Sequence, residues 1–225
     1  MLEIILDTET TGLSIAEKHR IVEIGCIELN NQIATKNIFH EYLNPQRSVS
    51  EAAYNVHGYS NDFLSDKKNF SEISEKFLNF IKDKKIIIHN AVFDLSFLNY
   101  ELRLIKKKEI TKENTIDTLE IARQKYPGSQ NSLDALCKRF NIDNSKREKH
   151  SALLDCELLR EVYINLVDQK EPKLDLNSGS IVSSETNKSL EKKITGSKKI
   201  IKASSIELKD HKNYLKTNLQ KNYYN

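Results

Sequence analysis

Two short aliphatic runs constrain the fold of this chain more than any other feature. They are LEIIL at residues 2–6 and KIIIHN at residues 85–90. Both are rich in isoleucine and too short for a typical helix, so each is interpreted as a buried strand. The second run stands between two segments with helical periodicity, which is typical of a central strand parallel to its neighbour. The chain therefore predicts an α/β fold built around these two strands.

Further strands and helices are predicted around this pair. Residues 20–29 and 37–44 have the composition of strands, and the asparagine pair at 30–31 suits a hairpin turn between them. Residues 114–126 begin as a strand end, the candidate fifth strand, and continue as a helix. The order predicts a mixed five-stranded sheet with helices on both faces. The other helices are expected at 49–58, 69–84 (with Ser71 as its N-cap), 91–105 (with Asn90 as its N-cap), 132–142 and 152–167.

The character of the chain changes after Val167. Residues 168–197 carry Ser, Asn, Lys, Glu and Gly without periodicity, which is typical of a flexible linker. Residues 198–219 regain apolar side chains at helical spacing but are too few to fold alone. We therefore expect a globular domain at 1–167, a flexible linker at 168–197 and a short docking tail at 198–225.

Charge is distributed unevenly between these parts. The 225-residue chain carries a formal charge of +3, but residues 170–225 hold twelve lysines and six acids. The remaining 23 basic and 26 acidic groups leave the globular part slightly acidic. Net charge therefore does not explain nucleic-acid binding by that part, whereas bound cations would.

Targeting and redox signals favour a cytoplasmic protein. Glu3 and Asp7 interrupt the first apolar run, so it does not resemble a signal peptide. No stretch approaches the roughly 18 apolar residues that a membrane span needs. The three widely spaced cysteines, Cys26, Cys137 and Cys156, are interpreted as reduced thiols, not as a disulfide framework or a zinc site.

Two acids follow the first strand in the stretch LDTETTGL. Asp7 and Glu9 are two residues apart, and residues i and i+2 of a strand face the same way. In open α/β sheets the carboxyl ends of the strands form the ligand-binding edge. Two like charges there are costly unless a cation joins them. The pair alone is weak evidence, because a solvated strand end explains it equally well.

Three further residues strengthen the case for a site. Asp94 lies in the first turn of the helix after KIIIHN, among apolar neighbours, although a first-turn acid also stabilises a helix dipole. Asp155 lies beside leucines on the last long helix, where an unpaired buried Asp is rare. His150 precedes that helix and is placed to reach the same site from a loop.

Together these residues predict a metal-dependent hydrolase. Four carboxylates carry four negative charges, which two Mg²⁺ or Mn²⁺ ions would neutralise with the oxygen ligands that these cations prefer. Two such ions about 4 Å apart form the usual clamp for phosphodiester hydrolysis. His150, neutral near pH 7, would accept the proton of the attacking water.

The order of three motifs resembles a known family. LDTET, HNAVFD and HSALLD resemble the signature of the DEDDh 3′–5′ exonucleases, and the likeness covers residues 2–167. VHGY, NSLDALCKRF and IDNSKR resemble more narrowly those members that proofread for a bacterial replicative DNA polymerase. The resemblance implies an RNase H-like fold and removal of mismatched 3′-terminal nucleotides from a single-stranded DNA end.

The resemblance also implies roles for individual residues. Asp7, Glu9 and Asp155 would bind metal and substrate, Asp94 would complete the metal set, and His150 would be the catalytic base. The terminal nucleotide would contact the backbone of Thr10 and Gly12 and the side chain of His57, and the degraded strand would pass His89, Asn90 and Phe93.

One position departs from the family pattern. Many members have a glutamate five residues before the pocket histidine, where it meets the sugar hydroxyl. Here that position is Ala52, and Glu51 stands one residue earlier. Either the register shifts by one residue or the contact is lost.

Two segments after the domain resemble partner-binding peptides. IIKASSIELKDHKNYL, within residues 198–219, resembles the segment by which such exonucleases attach to the polymerase (alpha) subunit, and its apolar residues favour docking. The alternative is a disordered basic end that binds nucleic acid weakly. QKEPKLDL at 169–176 loosely resembles a sliding-clamp-binding peptide of the Q-x-L-D-L type.

Three other functions remain open from the sequence. An RNA-trimming enzyme of the same family would not need the linker and docking tail. A non-catalytic polymerase scaffold would not need four converging carboxylates. A calcium-binding module would gather its ligands in one loop, whereas these are dispersed along the chain.

Overall fold

A computed structural model describes residues 2–145, 147, 149–167 and 203–218 of the chain. The chain divides into two compact units, Met1–Leu174 and Asp175–Asn225. The first contains one five-stranded sheet in the order β3-β2-β1-β4-β5, which confirms the predicted mixed α/β sheet, including its fifth strand. Its strands are β1 (Leu2–Thr10), β2 (Ile21–Asn30), β3 (Ile33–Tyr42), β4 (Lys85–Ile88) and β5 (Thr115–Asp117).

The pairing of the strands follows from their sequence. β1 and β2 are antiparallel, and so are β2 and β3. Asn31 and Gln32 join the latter pair with φ of 50° and 66°, the left-handed backbone that a primed two-residue hairpin turn requires. β4 is parallel to both β1 and β5, as its aliphatic run at Ile86, Ile87 and Ile88 predicted.

Helices cover both faces of this sheet. Ile4 and Ile5, neighbours on β1, are both fully buried but belong to different cores, because successive strand residues face opposite ways. The first core contains residues of the helices at 70–81 and 91–104, and the second contains residues of the helices at 118–125, 133–140 and 152–166. The helices are α1 (Glu51–His57), α2 (Asn61–Ser65), α3 (Phe70–Ile81), α4 (Ala91–Leu104), α5 (Thr118–Lys125), α6 (Leu133–Phe140) and α7 (Ala152–Leu166).

The predicted N-cap of α3 is wrong. Asn69, not Ser71, caps this helix: its side chain accepts from the N–H of Glu72, and the Glu72 carboxylate accepts from the N–H of Asn69. This reciprocal capping box satisfies two helix-end donors at once, which a serine two residues further on does not. Ser71 instead donates its hydroxyl to the Asn69 side chain.

The predicted capping role of Asn90 needs a similar correction. Asn90 occupies the N-cap position of α4 with φ of 68°, but its side chain makes no capping hydrogen bond. The carboxylate of Asp117, at the end of β5, accepts from the N–H groups of Asn90 (3.1 Å) and Ala91 (3.0 Å). The same carboxylate accepts from the N–H of Leu119 in α5 (2.9 Å). One acid therefore caps two helices, including the one that carries Asp94.

The described part of the second unit is one helix, α8 (Ser205–Asn218). Its Ile206, Leu208 and Tyr214 are exposed within the described residues. The predicted clamp-binding segment at 169–176 and the apolar Ile200, Ile201 and Leu219 lie outside those residues. In the described ranges, no helix has the length and apolarity to cross a membrane.

Candidate active site

A cavity of about 730 Å³ opens where β1 and β4 end. Its lining residues are far apart in the sequence: β1 supplies two acids, and α7 supplies a third more than 140 residues later. Its lining includes the four predicted acids, the predicted base and three predicted substrate residues: Asp7, Glu9, Asp94, Asp155, His150, His89, Asn90 and Phe93.

Three groups within this lining are close enough for shared ligation. Side-chain ligand atoms of Glu9, His150 and Asp155 all lie within 4.8 Å of one another. The Nδ1 atom of His150 is 3.5 Å from Asp155 Oδ2 and 4.0 Å from Glu9 Oε1. Asp94 is oriented separately, by a 2.7 Å hydrogen bond that the Thr8 hydroxyl donates to its Oδ1.

Burial and mutual repulsion dominate the electrostatics of the acids. Burial raises the pKa of Asp7 well above its ordinary value, and the charges of Asp94, Glu9 and Asp155 raise it further. Burial and the charge of Asp155 raise the pKa of Glu9 to about 8. Burial raises the pKa of Asp94 to about 7, against the hydrogen bond from Thr8. These groups therefore favour protons or a cation in the folded chain.

Sequence reasoning missed the partner of Asp155, which is Arg147. Its guanidinium donates from Nε to Oδ1 (2.6 Å) and from Nη2 to Oδ2 (2.7 Å) of that carboxylate. A third bond runs from Nη1 to Asp134 Oδ1 (2.7 Å). Arg147 belongs to the IDNSKR motif, so the signal was present, but only the fold brings it onto the acid.

The same arginine defines the state of His150. Arg147 Nη2 lies 2.9 Å from His150 Nδ1, and since a guanidinium only donates, Nδ1 is assigned as the acceptor of a neutral ring. Burial and the arginine charge lower the pKa of His150, against the opposing charge of Asp155. The ring is therefore neutral at pH 7, as a general base requires.

Not all predicted substrate residues reach the cavity. Thr10, Gly12 and His57 do not line it. The Thr10 hydroxyl donates to the Gly12 carbonyl (2.7 Å), and a Cβ on Gly12 would lie 2.3 Å from the His19 ring. Gly12 is thus required by the close approach of His19.

His57 is buried in a way that leaves one polar atom unused. Its Nδ1 accepts from the N–H of Tyr59 (3.0 Å), while its buried Nε2 has no hydrogen-bond partner among the described residues. Burial lowers the pKa of this ring. Glu51 and Ala52, which begin α1, are exposed and do not line the cavity.

The remaining substrate candidates form one side of the cavity. His89 Nδ1 is 2.9 Å from the Thr118 hydroxyl, which fixes the ring against α5. The Phe93 ring packs on Phe97 with centroids 4.9 Å apart. Together they add an aromatic ring and a hydrogen-bonding ring to the lining of the cavity.

The fold and this acid cluster define the class of protein as a nuclease of the RNase H-like exonuclease type. The sequence model of the exonuclease family RNase_T matches residues 4–163. Solved structures with the same fold include Exonuclease X in complex with 5′ overhanging duplex DNA (24% identity, TM-score 0.59, 74% of this chain and 92% of that one). The nuclease domain of 3′hExo, a DEDDh family member bound to rAMP, is also similar (19% identity, TM-score 0.64, 74% and 91%).

Curated relatives narrow this class further. DNA polymerase III subunit epsilon of Rickettsia conorii is 46% identical over 225 residues, which cover 98% of each chain. The protein of the same name from Escherichia coli K12 is 48% identical over 170 residues, 72% of this chain and 70% of that one. The chain belongs to the DNA polymerase III epsilon subunits, a family of divalent-metal-dependent proofreading 3′–5′ exonucleases.

Proposed function

We propose that the chain removes mismatched 3′-terminal nucleotides from single-stranded DNA ends with two ions of Mg²⁺ or Mn²⁺ held by Asp7, Glu9, Asp94 and Asp155. The observation that carries this proposal is the convergence of four acids from β1, α4 and α7 on one cavity, three of them buried: Glu9, Asp94 and Asp155. Gathering such charges is costly unless they bind protons or a cation offsets their repulsion.

The donor set fits hard divalent cations. All four side chains offer carboxylate oxygens, and the raised pKa values of Asp7, Glu9 and Asp94 express the repulsion that bound cations would relieve. Bound there, the ions would lower the pKa of a water and stabilise the leaving oxygen of the phosphodiester. The predicted ligands Asp7, Glu9 and Asp155 also place the terminal phosphate.

His150 supplies the base in this proposal. Its Nδ1 lone pair faces Glu9 and Asp155 and accepts from Arg147 in the described structure. The neutral ring would take the proton of the attacking water at Nδ1, the acceptor nitrogen that Arg147 occupies in the described structure, so the Arg147 bond to Nδ1 must open before the transfer. The neighbouring carboxylates would stabilise the imidazolium that forms. Arg147 holds Asp155 and His150 in one arrangement through the bonds described above.

The substrate is proposed to be a frayed DNA end. A mismatched terminus unpairs at lower cost than a matched one, and bases of a single strand stack on aromatic side chains such as Phe93. Beside it, His89 and Asn90 would contact the strand being degraded. The unpaired Nε2 of His57 is a donor for the terminal nucleotide, together with the backbone of Thr10 and Gly12.

The part after the domain is proposed to bind partners. Residues 198–219 would dock on the polymerase (alpha) subunit, since α8 exposes Ile206 and Leu208 among its described side chains. Residues 169–176 would engage the sliding clamp, and 168–197 would be the linker between domain 1–167 and tail 198–225. A replicative polymerase subunit would work in the cytoplasm. The linker and tail favour this function over a free-standing RNA-trimming enzyme.

Alanine substitution tests the metal ligands. Asp7→Ala and Asp155→Ala are expected to abolish hydrolysis of a single-stranded DNA oligonucleotide while circular dichroism shows a folded protein. Retained hydrolysis by either variant at saturating Mn²⁺ contradicts the two-metal assignment. A comparison of the hydrolysis rates of the unaltered protein on matched DNA and RNA 3′ ends tests the choice of substrate.

A second substitution tests the base. His150→Ala is expected to leave Mn²⁺ binding nearly unchanged in calorimetry but to slow turnover about a hundredfold or more, because the water loses its proton acceptor. Turnover within threefold of the unaltered protein would contradict this role.

A further inference from the structure

One buried acid of β2 takes no part in the cavity. Glu23 is fully buried and pairs in register with Glu9 on β1, but it does not line the cavity. Four donors converge on its carboxylate, two on each oxygen. They are His40 Nε2 (2.7 Å), Tyr59 Oη (2.8 Å), Ala152 N (2.9 Å) and Ser151 Oγ (3.0 Å).

These bonds keep the carboxylate charged. Burial alone would raise the pKa of Glu23, but the hydrogen bonds from His40, Ala152 and Tyr59 outweigh it and lower the pKa. A buried charge with every lone pair satisfied is rigidly placed, because any displacement would leave it exposed to an apolar surrounding.

Two of the four donors belong to the start of α7. Ser151 occupies the N-cap position of this helix, but its side chain makes no capping bond there. The N–H of Ala152, one of the donors that a helix start leaves unpaired, is satisfied by Glu23 instead. The negative charge also complements the positive end of the helix dipole. Glu23, on a neighbouring strand, therefore supplies the acceptor that caps the start of α7.

The backbone of α7 touches the sheet at the same place. A Cβ on Gly25 would lie 2.5 Å from the carbonyl carbon of Ala152, so the helix start rests directly on β2. His150 immediately precedes the capped residues, and its own N–H donates to the carbonyl of Val56 in α1 (3.1 Å). Asp155 lies one turn into the helix.

A third donor links Glu23 to the predicted nucleotide pocket. Tyr59, which donates to the carboxylate, stacks on the His57 ring with centroids 4.8 Å apart and an interplanar angle of 22°. One carboxylate therefore ties the segment with the base to the segment with the pocket histidine.

We infer that Glu23 is a positioning residue for hydrolysis, which fixes the His150–Ala152 segment and the start of α7 against β1 and β2 so that His150 meets the attacking water. This inference depends on the proposed role of His150 as the base. It concerns a residue that does not line the cavity, although it faces Glu9 across β1 and β2 and its charge adds to the effect of burial in raising the pKa of Asp7 and Glu9.

The first experiment compares two matched substitutions on β2. Glu23→Gln keeps the size of the side chain but loses the charge and part of its accepting capacity, so kcat on a single-stranded oligonucleotide with Mg²⁺ is expected to fall about 10- to 100-fold, the usual effect of losing a supporting hydrogen bond. KM is expected to change less than threefold. Glu28→Gln is the control: Glu28 is also a buried acid of β2 but binds Lys84 and Asn37, and its kcat should stay within twofold. A kcat of Glu23→Gln within twofold of the unaltered protein overturns the inference.

A double-mutant cycle separates positioning from a general loss of structure. In a His150→Ala background, Glu23→Gln should lower kcat by less than threefold, because the side chain that Glu23 positions is no longer there. The same loss in both backgrounds would refute the inference. If His150→Ala is slow and Glu23→Gln is not, only the inference fails. If His150→Ala has no effect, both the base and its positioning residue are refuted.

Smaller substitutions keep the test decisive if Glu23→Gln does not fold. Ser151→Ala removes one bond on the α7 side, and it should lower kcat without changing KM. Tyr59→Phe removes one bond on the pocket side, and it should raise KM with kcat nearly unchanged. Equal effects of the two variants on kcat would contradict the positioning of His150 by Glu23.

Discussion

At the scale of single residues, the site gathers acids whose burial and mutual repulsion destabilise the folded protein. Asp7, Glu9 and Asp94 are buried together, and each has a raised pKa for that reason first. Arg147 binds Asp155 through two short bonds, and its charge also lowers the pKa of Glu9, against the burial and the repulsion that raise it. The remaining repulsion is stored in the metal-free protein and should be visible in its stability.

The pH dependence of metal-free stability tests this idea. Folding raises the pKa of Glu9 from 4.5 to about 8 and that of Asp94 from 3.8 to about 7, so the folded chain binds more protons than the unfolded chain. The stability that protonation provides is full below the unfolded values and is lost as pH rises through the folded values. In EDTA, Tm is therefore expected to fall between about pH 5 and pH 8, and less steeply with Mg²⁺. A metal-free Tm that rises across this range would contradict the burial of these acids.

Removal of one charge should uncouple stability from activity. Asp7→Asn keeps the shape of the side chain but deletes a charge that Asp94, Glu9 and Asp155 repel. In EDTA at pH 8, Tm is expected to rise, whereas hydrolysis is lost and Mg²⁺ no longer stabilises the protein. Asp62→Asn, an exposed acid of α2, is the control and should change neither property. A lower metal-free Tm for Asp7→Asn would show that repulsion at this site is small.

At the scale of elements, the helices that carry the site begin at acids from neighbouring strands. Asp117 of β5 caps α4 and α5, and Glu23 of β2 caps α7. α4 brings Asp94 to the cavity and α7 brings Asp155. Because the caps of α4 and α7 come from strands distant in the sequence, the sheet fixes both the starts of these helices and the candidate metal ligands that they carry.

The cap at Asp117 gives a stability prediction. Asp117→Ala leaves the N–H groups of Ala91 and Leu119 without their acceptor, so unfolding free energy should fall by about 1–2 kcal/mol, the usual cost of losing a helix cap. Asn90→Gly should cost less than about 0.5 kcal/mol, since the Asn90 side chain caps nothing and its φ of 68° suits glycine. Urea denaturation measures both. A larger loss for Asn90→Gly would restore the capping role that the sequence suggested.

At the scale of the whole molecule, the chain contains a folded exonuclease unit and a second unit whose described part is dominated by α8. The apolar and polar residues of α8 are only weakly separated onto opposite faces of the helix. Within the described residues, its Ile206, Leu208 and Tyr214 are exposed. An isolated 14-residue helix is marginal in water, so a partner surface that covers those side chains would stabilise it.

Polymerase binding tests the tail. Full-length protein is expected to capture the polymerase subunit in a pull-down, and a form ending at Val167 is expected to lose it. Ile206→Asp with Leu208→Asp in the full chain should also abolish capture, because two charges would enter an apolar interface. Lys209→Ala should leave it intact. Equal capture by all forms would refute the docking role, and loss with Lys209→Ala alone would indicate a charge-based contact.

The strands and most helices were predictable because their signals are local. The aliphatic run 85–88 predicted a buried parallel strand, and the apolar spacing of 70–81 predicted α3. Caps were predicted less well. Ser71 and Asn90 are reasonable caps by residue type, but the actual acceptors are Asn69, whose reciprocal bonds with Glu72 compete better, and Asp117, which lies 27 residues after Asn90.

The sequence by itself determined the chemistry of the site: four carboxylates and one histidine, in an order that matches a family, and the period of two that places Asp7 and Glu9 together. Only the tertiary structure decided which groups control them. Arg147 binds Asp155 and His150, which follow it by eight and three residues, because the loop before α7 folds back onto the helix. Glu23 holds the start of α7 because the sheet brings segments 128 and 129 residues apart to within 3.0 Å. Residue types and spacing show which ligand and acid–base groups the chain contains. The three-dimensional packing sets the hydrogen-bond partner of each group and hence its charge state.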